Sequence, residues 1–234
     1  MTVKLSDIKE NTKILMEQIA LAAQDSHRSP ADIRLMAVTK NNSAQRVNEA
    51  IAAGITLLGE NRTQEFVKKY DDYNKANCEI HFVGHLQSNK VKTIIDKVTL
   101  IQSVDRLSLA EKIDHCAKGT NRVMAVLVEV KIGGEATKSG VEPQMLSEFL
   151  SQIGGFSHIQ VKGLMCIPPK VTDDLAKEQY FAQMYRHFID NKAKKMDNVC
   201  MDILSMGMSY DFLLAIKHGS NIVRIGRKLF GERL

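Results

Sequence analysis

A (β/α)8 barrel of the TIM type is the fold this sequence predicts, on three observations. Short apolar runs rich in β-branched residues alternate with amphipathic segments, eight such runs can be found, and 234 residues suffice for one closed domain of this kind. The candidate strands are Ile33 to Thr39, Thr56 to Gly59, Ile80 to Val83, Leu100 to Ser103, Val123 to Val130, Val161 to Cys166, Val199 to Leu204 and Asn221 to Ile225. A doubly wound open sheet would need one or two fewer strands and is the competing arrangement. There is no internal repeat, low-complexity linker or evident boundary, so a single domain over residues 1–234 is expected.

The helices between these strands are marked by their ends. Leu5, Ile8, Leu15 and Ile19 recur at helical spacing and predict an extra helix before the barrel begins. After the first strand, Ser43 suits an N-cap, Val47, Ala50 and Ile51 share one face, and Gly54 stands where a left-handed residue would stop the helix. Between strands five and six, Pro143 suits a first helical position, Leu146, Phe149, Leu150 and Ile153 form an apolar stripe, and Gly154 ends it. Phe181, Met184, Tyr185 and Phe188 repeat that spacing before strand seven. These stripes are read as core.

Composition excludes several function classes. With 44% hydrophobic and 25% charged residues the chain has the balance of a globular protein, not of a disordered or fibrous one. The start, Met1 to Asp7, has no apolar leader, and no run approaches the roughly 18 apolar residues of a membrane span, so a cytoplasmic protein is expected. Cys78, Cys116, Cys166 and Cys200 are widely spaced with no histidine at ligand distance in sequence, which predicts free thiols and no metal site. The formal charge of +5 comes from scattered basic residues without interleaved aromatics, so a phosphorylated small molecule explains it as well as nucleic acid, which is not expected.

Lys40 closes the first strand. An amine at the carboxyl end of a buried strand is desolvated, which favours the neutral, nucleophilic form, although the local sequence alone favours a lysine reaching solvent, and it is the rest of the chain that reverses that order. In a barrel the active face is built from strand ends. Those ends carry Asn61, His85, Asp105, the glycine-bearing stretch from Lys131 to Glu135, Pro168, the run Ser205-Met206-Gly207-Met208-Ser209, and Gly226-Arg227. Gly207 would allow a tight turn, Ser209 is a candidate N-cap for a helix stopping at Gly219, and Gly226 would let backbone approach a ligand closely. The loops after strands seven and eight are the usual phosphate site of this fold. A lysine and a phosphate cradle on one face describe a Schiff base to a phosphorylated aldehyde, with pyridoxal 5′-phosphate (PLP) the leading candidate and Arg224 a partner for its pyridine nitrogen.

The same residues carry a resemblance. Leu35 to Lys40, Gly59-Glu60-Asn61, His81 to Lys90, Ser103-Val104-Asp105, Lys138-Ser139-Gly140, Gly163-Leu164-Met165, Leu204 to Ser209, Val223 to Gly226 and Phe230 to Arg233 resemble the PLP homeostasis proteins (YggS/PROSC type), from about residue 30 onward. That family is related to the barrel domain of alanine racemase, so the resemblance implies an alanine-racemase-like barrel with PLP held as a Schiff base on Lys40. It further implies Ser209 and the backbone around Gly226 and Arg227 at the phosphate and Arg224 at the pyridine nitrogen, with Ser205, Met206, Gly207, Asn61 and His85 lining the pocket. Two positions depart from the family pattern: Arg227 stands where a small hydroxyl residue is frequent, and Tyr210 where an acidic residue is common.

The family's described role is control of PLP supply, which implies PLP-dependent apoenzymes as partners. Alanine racemase opposes its lysine with a tyrosine from a second domain, and here the chain ends at Leu234, soon after strand eight. A non-catalytic, monomeric or at most weakly dimeric PLP carrier is therefore expected; the alternatives are a PLP-dependent racemase or lyase and a Schiff-base aldolase.

Overall fold

Every candidate strand forms, and the eight close on themselves. In a computed structural model describing residues 7–133 and 139–231, the strands are β1 (Arg34–Val38), β2 (Leu57–Glu60), β3 (Glu79–Phe82), β4 (Leu100–Val104), β5 (Met124–Glu129), β6 (Ile159–Met165), β7 (Val199–Met208) and β8 (Ile222–Ile225). They pair in chain order into a closed parallel barrel, sealed by β1 on β8 with Met36 opposite Arg224 and Ala37 opposite Ile225. Closure rules out the open sheet. Leu5, the stretch Gly134 to Lys138, and Glu232-Arg233 lie outside the described residues.

The helices are α1 (Ile8–Asp25), α2 (Ala44–Ala52), α3 (Thr63–Lys69), α4 (Val91–Ile94), α5 (Leu107–Gly119), α6 (Leu146–Gly154), α7 (Asp174–Lys192), α8 (Phe212–Lys217) and α9 (Arg227–Phe230). Their ends follow local chemistry. Ser43 accepts from the Arg46 amide as the cap of α2, and Gly54 follows that helix at φ +100°. Ile8, Leu15 and Ile19 of α1 are buried, as are Phe181, Met184 and Phe188 of α7, whereas Tyr185 turns outward and its ring packs on Gly219.

Alternation along the strands separates two layers. Leu35, Ala37, Leu58, Phe82, Val126, Val128, Leu204, Met206, Val223 and Ile225 belong to the continuous apolar layer shared with the helices. The interleaved residues face the barrel axis, where Met36, Leu57, Val83 and Ile222 form one small cluster and Leu100, Leu127 and Met165 another. His81, Gln102, Ser205 and Arg224, all buried and joined by hydrogen bonds across the barrel, complete that interior.

Two strands run longer than their apolar patterns. β6 begins at Ile159, and β7 continues through Gly207 to Met208, because Met208 still pairs with Arg224 of β8 across a bulge. Gly84, just past β3, has no room for a side chain, since a Cβ there would stand 2.0 Å from the Asn61 carbonyl oxygen. Gly84→Ala is expected to lower stability by about 2–4 kcal/mol through forced separation of the β2 and β3 ends. Chemical denaturation would read this, and a variant as stable as the parent would contradict the close approach.

Candidate functional site

Lys40 sits at the centre of a turn that its neighbours hold from outside. The Asn42 amide donates to the Thr39 carbonyl at 3.1 Å, and Asn41 takes φ +61°, a left-handed position that asparagine tolerates. From α3, the Lys69 ammonium donates to the carbonyls of Thr39 (3.3 Å) and Asn42 (3.0 Å), while Glu65 accepts from the Asn41 amide at 2.7 Å. Lys69 and Glu65 also pair at 2.8 Å, so one ion pair clamps the backbone on both sides of Lys40. Beneath the turn, the buried Glu60 carboxylate accepts from Thr39 Oγ1 (2.6 Å) and Tyr73 Oη (2.7 Å), and burial pushes its pKa up.

On β8, the strand that pairs with β1, Arg224 is 4% exposed and faces the barrel axis. Its guanidinium donates to Ser205 Oγ and to the Cys166 carbonyl, both at 2.8 Å. Burial pulls its pKa down, offset by Cys166, Glu129 and Asp211, and a guanidinium so placed remains a cation. Glu129, at the end of β5, is 7% exposed, its backbone carbonyl accepts from the Val141 amide at 2.8 Å, and its carboxyl feels the charge of Arg224. Burial, reinforced by Asp105 and opposed by Arg224, raises its pKa to about 7.

The loops after β7 and β8 meet. The Lys228 amide donates to Ser209 Oγ at 3.5 Å, bringing that hydroxyl against the first turn of α9. Gly226 opens this junction, since a Cβ there would find only the Val38 carbonyl and side chain, at 3.5 and 3.7 Å. Arg227 and Tyr210, the two departures from the family pattern, touch: the guanidinium donates to Tyr210 Oη at 3.2 Å and lies 5.7 Å from its ring centroid. On the far rim, His85 is 54% exposed, with Nδ1 at 3.6 Å from Asp105 and 3.2 Å from Ser139 Oγ.

The expected site residues therefore divide. Lys40, Asn61, Ser205, Ser209, Arg224 and Gly226 lie at the carboxyl ends of the strands, and buried Asn61 Oδ1 has no hydrogen-bond partner among the described residues. Met206 does not line the mouth: alternation turns its side chain into the helix-facing layer. Gly207, at φ +91°, turns the backbone and admits Ala215 and Phe212 behind it. Ser209 is not an N-cap; Asp211 takes that position and accepts from the Met208 amide at 2.6 Å, which leaves the serine hydroxyl for the junction with α9. Glu129, Gln102 and His81 escaped the sequence reading, although a polar residue inside an apolar strand was the available signal. The described residues contain no cluster able to hold a metal, and all four cysteines are free thiols.

Residues 3–233 match the family described as alanine racemase, N-terminal domain. A pyridoxal phosphate homeostasis protein from Aquifex aeolicus is 40% identical over 224 residues, spanning 96% of this chain and 97% of that relative. The chain belongs to the pyridoxal phosphate homeostasis family. Among solved structures of related chains, PipY of Synechococcus elongatus PCC7942 with PLP bound superposes with a TM-score of 0.81 at 33% identity, covering 92% of this chain and 99% of that one. The alanine racemase of Streptomyces coelicolor A3(2) shares the fold at a TM-score of 0.67 and 14% identity, and this homeostasis-family chain spans 58% of its length.

Proposed function

We propose that this protein binds PLP as a Schiff base on Lys40 and holds it reversibly, for storage or for delivery to PLP-dependent apoenzymes. The observation that carries the reading is the convergence of an amine, a buried cation with donors to spare and a hydroxyl–amide junction on one barrel mouth. PLP needs all three. Arg224 has five N–H groups, of which two are engaged by described residues, so a donor is available to the pyridine nitrogen. Ser209 Oγ, the Lys228 amide and Arg227 suit the phosphate, the space at Gly226 admits it, and the unpartnered Asn61 Oδ1 offers a polar contact at the rim. The PLP-bound PipY relative supports PLP as the ligand.

When bound, PLP supplies an electrophilic carbon and an electron-withdrawing ring. The chain's own part is to present the Lys40 amine from a clamped turn, to fix the phosphate and to keep the ring nitrogen unprotonated beside Arg224. That last effect weakens the ring as an electron sink and suits holding over carbanion chemistry. Arg224→Glu would place an acid there and is expected to protonate the nitrogen and shift the visible absorption band; an unchanged band would remove Arg224 from that contact.

Glu129 favours one second reading, a racemase or lyase, because a carboxyl titrating near neutrality can hold a proton at the mouth. A panel of amino acids offered to the PLP-loaded protein, together with transfer of PLP to an apoenzyme, separates the two. Transfer without turnover supports the carrier; turnover lost in Lys40→Ala overturns it. No helix among the described residues is long and apolar enough to cross a membrane. The carrier reading goes with a cytoplasmic protein, monomeric or at most weakly dimeric.

A further inference from the structure

The barrel interior contains an unbroken chain of polar contacts from the cofactor mouth to the opposite end. Arg224 donates to Ser205 Oγ at 2.8 Å, and Ser205 Oγ donates to Gln102 Oε1 at 2.7 Å. Gln102 Nε2 lies 3.0 Å from His81 Nδ1, and His81 Nε2 lies 3.4 Å from Glu79 Oε2. Glu79 is then held by Arg34 through contacts of 2.8 and 3.2 Å. The four side chains between Arg224 and Arg34 come from β7, β4 and β3, and His81, Gln102 and Ser205 are each 1% exposed or less.

The donors all point one way. A guanidinium can only donate, so Ser205 Oγ accepts from it and spends its own proton on the Gln102 carbonyl. The Gln102 amide nitrogen then donates to His81 Nδ1, which leaves the imidazole proton on Nε2, facing Glu79. Reversing Gln102 would put the proton on Nδ1 and set the bare Nε2 against a carboxylate, acceptor against acceptor. Glu79, whose pKa is held at about 2 chiefly by the His81 hydrogen bond and also by Arg34, is therefore the anchor that selects the polarity. Burial keeps the His81 ring neutral against the pull of Glu79, with Arg34 acting in the same direction as burial.

We propose that Gln102 and His81 are positioning residues for the cofactor site: anchored on Glu79, they orient Ser205 so that its oxygen fixes the Arg224 guanidinium toward the ring nitrogen of bound PLP. This rests on the assignment of Arg224 above. A neutral alkyl side chain at position 102 would leave Ser205 without its acceptor, and its hydroxyl proton would compete with Arg224 for the same space. An oxygen kept at that point would preserve the contact whatever stands on the histidine side.

Two measurements test this. In the PLP-free protein, 15N NMR of the His81 ring should show bare Nδ1 and protonated Nε2 at neutral pH, and Glu79→Gln should lose that single tautomer; a proton on Nδ1 in the unsubstituted protein overturns the relay. In the PLP-loaded protein, Gln102→Leu should shift the visible band and raise the PLP dissociation constant about threefold to tenfold, the scale of one misplaced hydrogen bond. Gln102→Glu, which keeps an oxygen facing Ser205, should retain the parental band. A folded Gln102→Leu protein with parental band and affinity overturns the positioning role. If the unsubstituted protein does not bind PLP, the assignment of Arg224 falls and this role with it, whereas the NMR result bears on the relay alone.

Discussion

Replacing Lys40 by alanine is expected to abolish covalent capture of PLP and leave the fold standing. The clamp around the turn runs from Lys69 and Glu65 to backbone atoms of Thr39, Asn41 and Asn42, so none of those bonds passes through the Lys40 side chain. Stability should change by no more than about 0.5 kcal/mol, the scale of a substitution away from the core. Phosphate and ring contacts at Ser209, Lys228 and Arg224 would remain, so PLP should still bind reversibly but at least about tenfold more weakly. Visible absorption and equilibrium dialysis read these two effects separately. A variant with the parental band would place the attachment elsewhere.

Glu129→Gln is expected to stabilise the PLP-free protein in a strongly pH-dependent way. The Glu129 pKa rises from 4.5 to about 7 on folding, chiefly by burial. The native state therefore holds a proton that the unfolded chain releases, so this residue's contribution is intact below the unfolded pKa and is lost as the pH climbs to about 7. The difference corresponds to about 3 kcal/mol above neutrality. The amide substitution removes that penalty. Urea denaturation should show Glu129→Gln more stable than the parent by about 3 kcal/mol more at pH 8 than at pH 4. Any cost of burying the amide is the same at both pH values and cancels. An equal difference at the two pH values would show that Glu129 ionises in the barrel as readily as in the unfolded chain, contradicting the raised pKa.

Both predictions concern the mouth, and they show which parts of it can be read from a sequence. The placement of Lys40, Asn61, Ser209, Arg224 and Gly226 at the mouth was legible because they follow or end apolar strands, and in a parallel barrel every such end opens on one face. Arg224 was also exposed by its setting, a cation within Ile222 to Ile225. Glu129 has the same signature but lies one position inside the expected end of its strand, and only the alternation of Ala125 and Leu127 toward the axis turns it to the mouth. Gln102 was hidden more deeply. The register of β4 against β5 shifts between Ile101 and Val104, and no pattern in the apolar residues announces that bulge.

The fold was more legible than the side-chain roles. Eight apolar runs, capped helices and a glycine after α2 are local signals, and the barrel follows from their order. The facing of Met206 and the expected N-cap role of Ser209 were misread for a different reason. Their neighbour Gly207 and the bulge between Ser205 and Met208 decide which residues face the axis, and these depend on pairing with β8. The contact between Arg227 and Tyr210 belongs to the same class, because residues 17 apart in sequence meet only when the loops after β7 and β8 converge.

The central claim is that Lys40 carries the cofactor, and borohydride reduction of the PLP-incubated protein tests it most directly. Reduction should erase the visible band and leave a pyridoxyl adduct on the Lys40 peptide. An adduct confined to another lysine, or no band to reduce, would contradict the account.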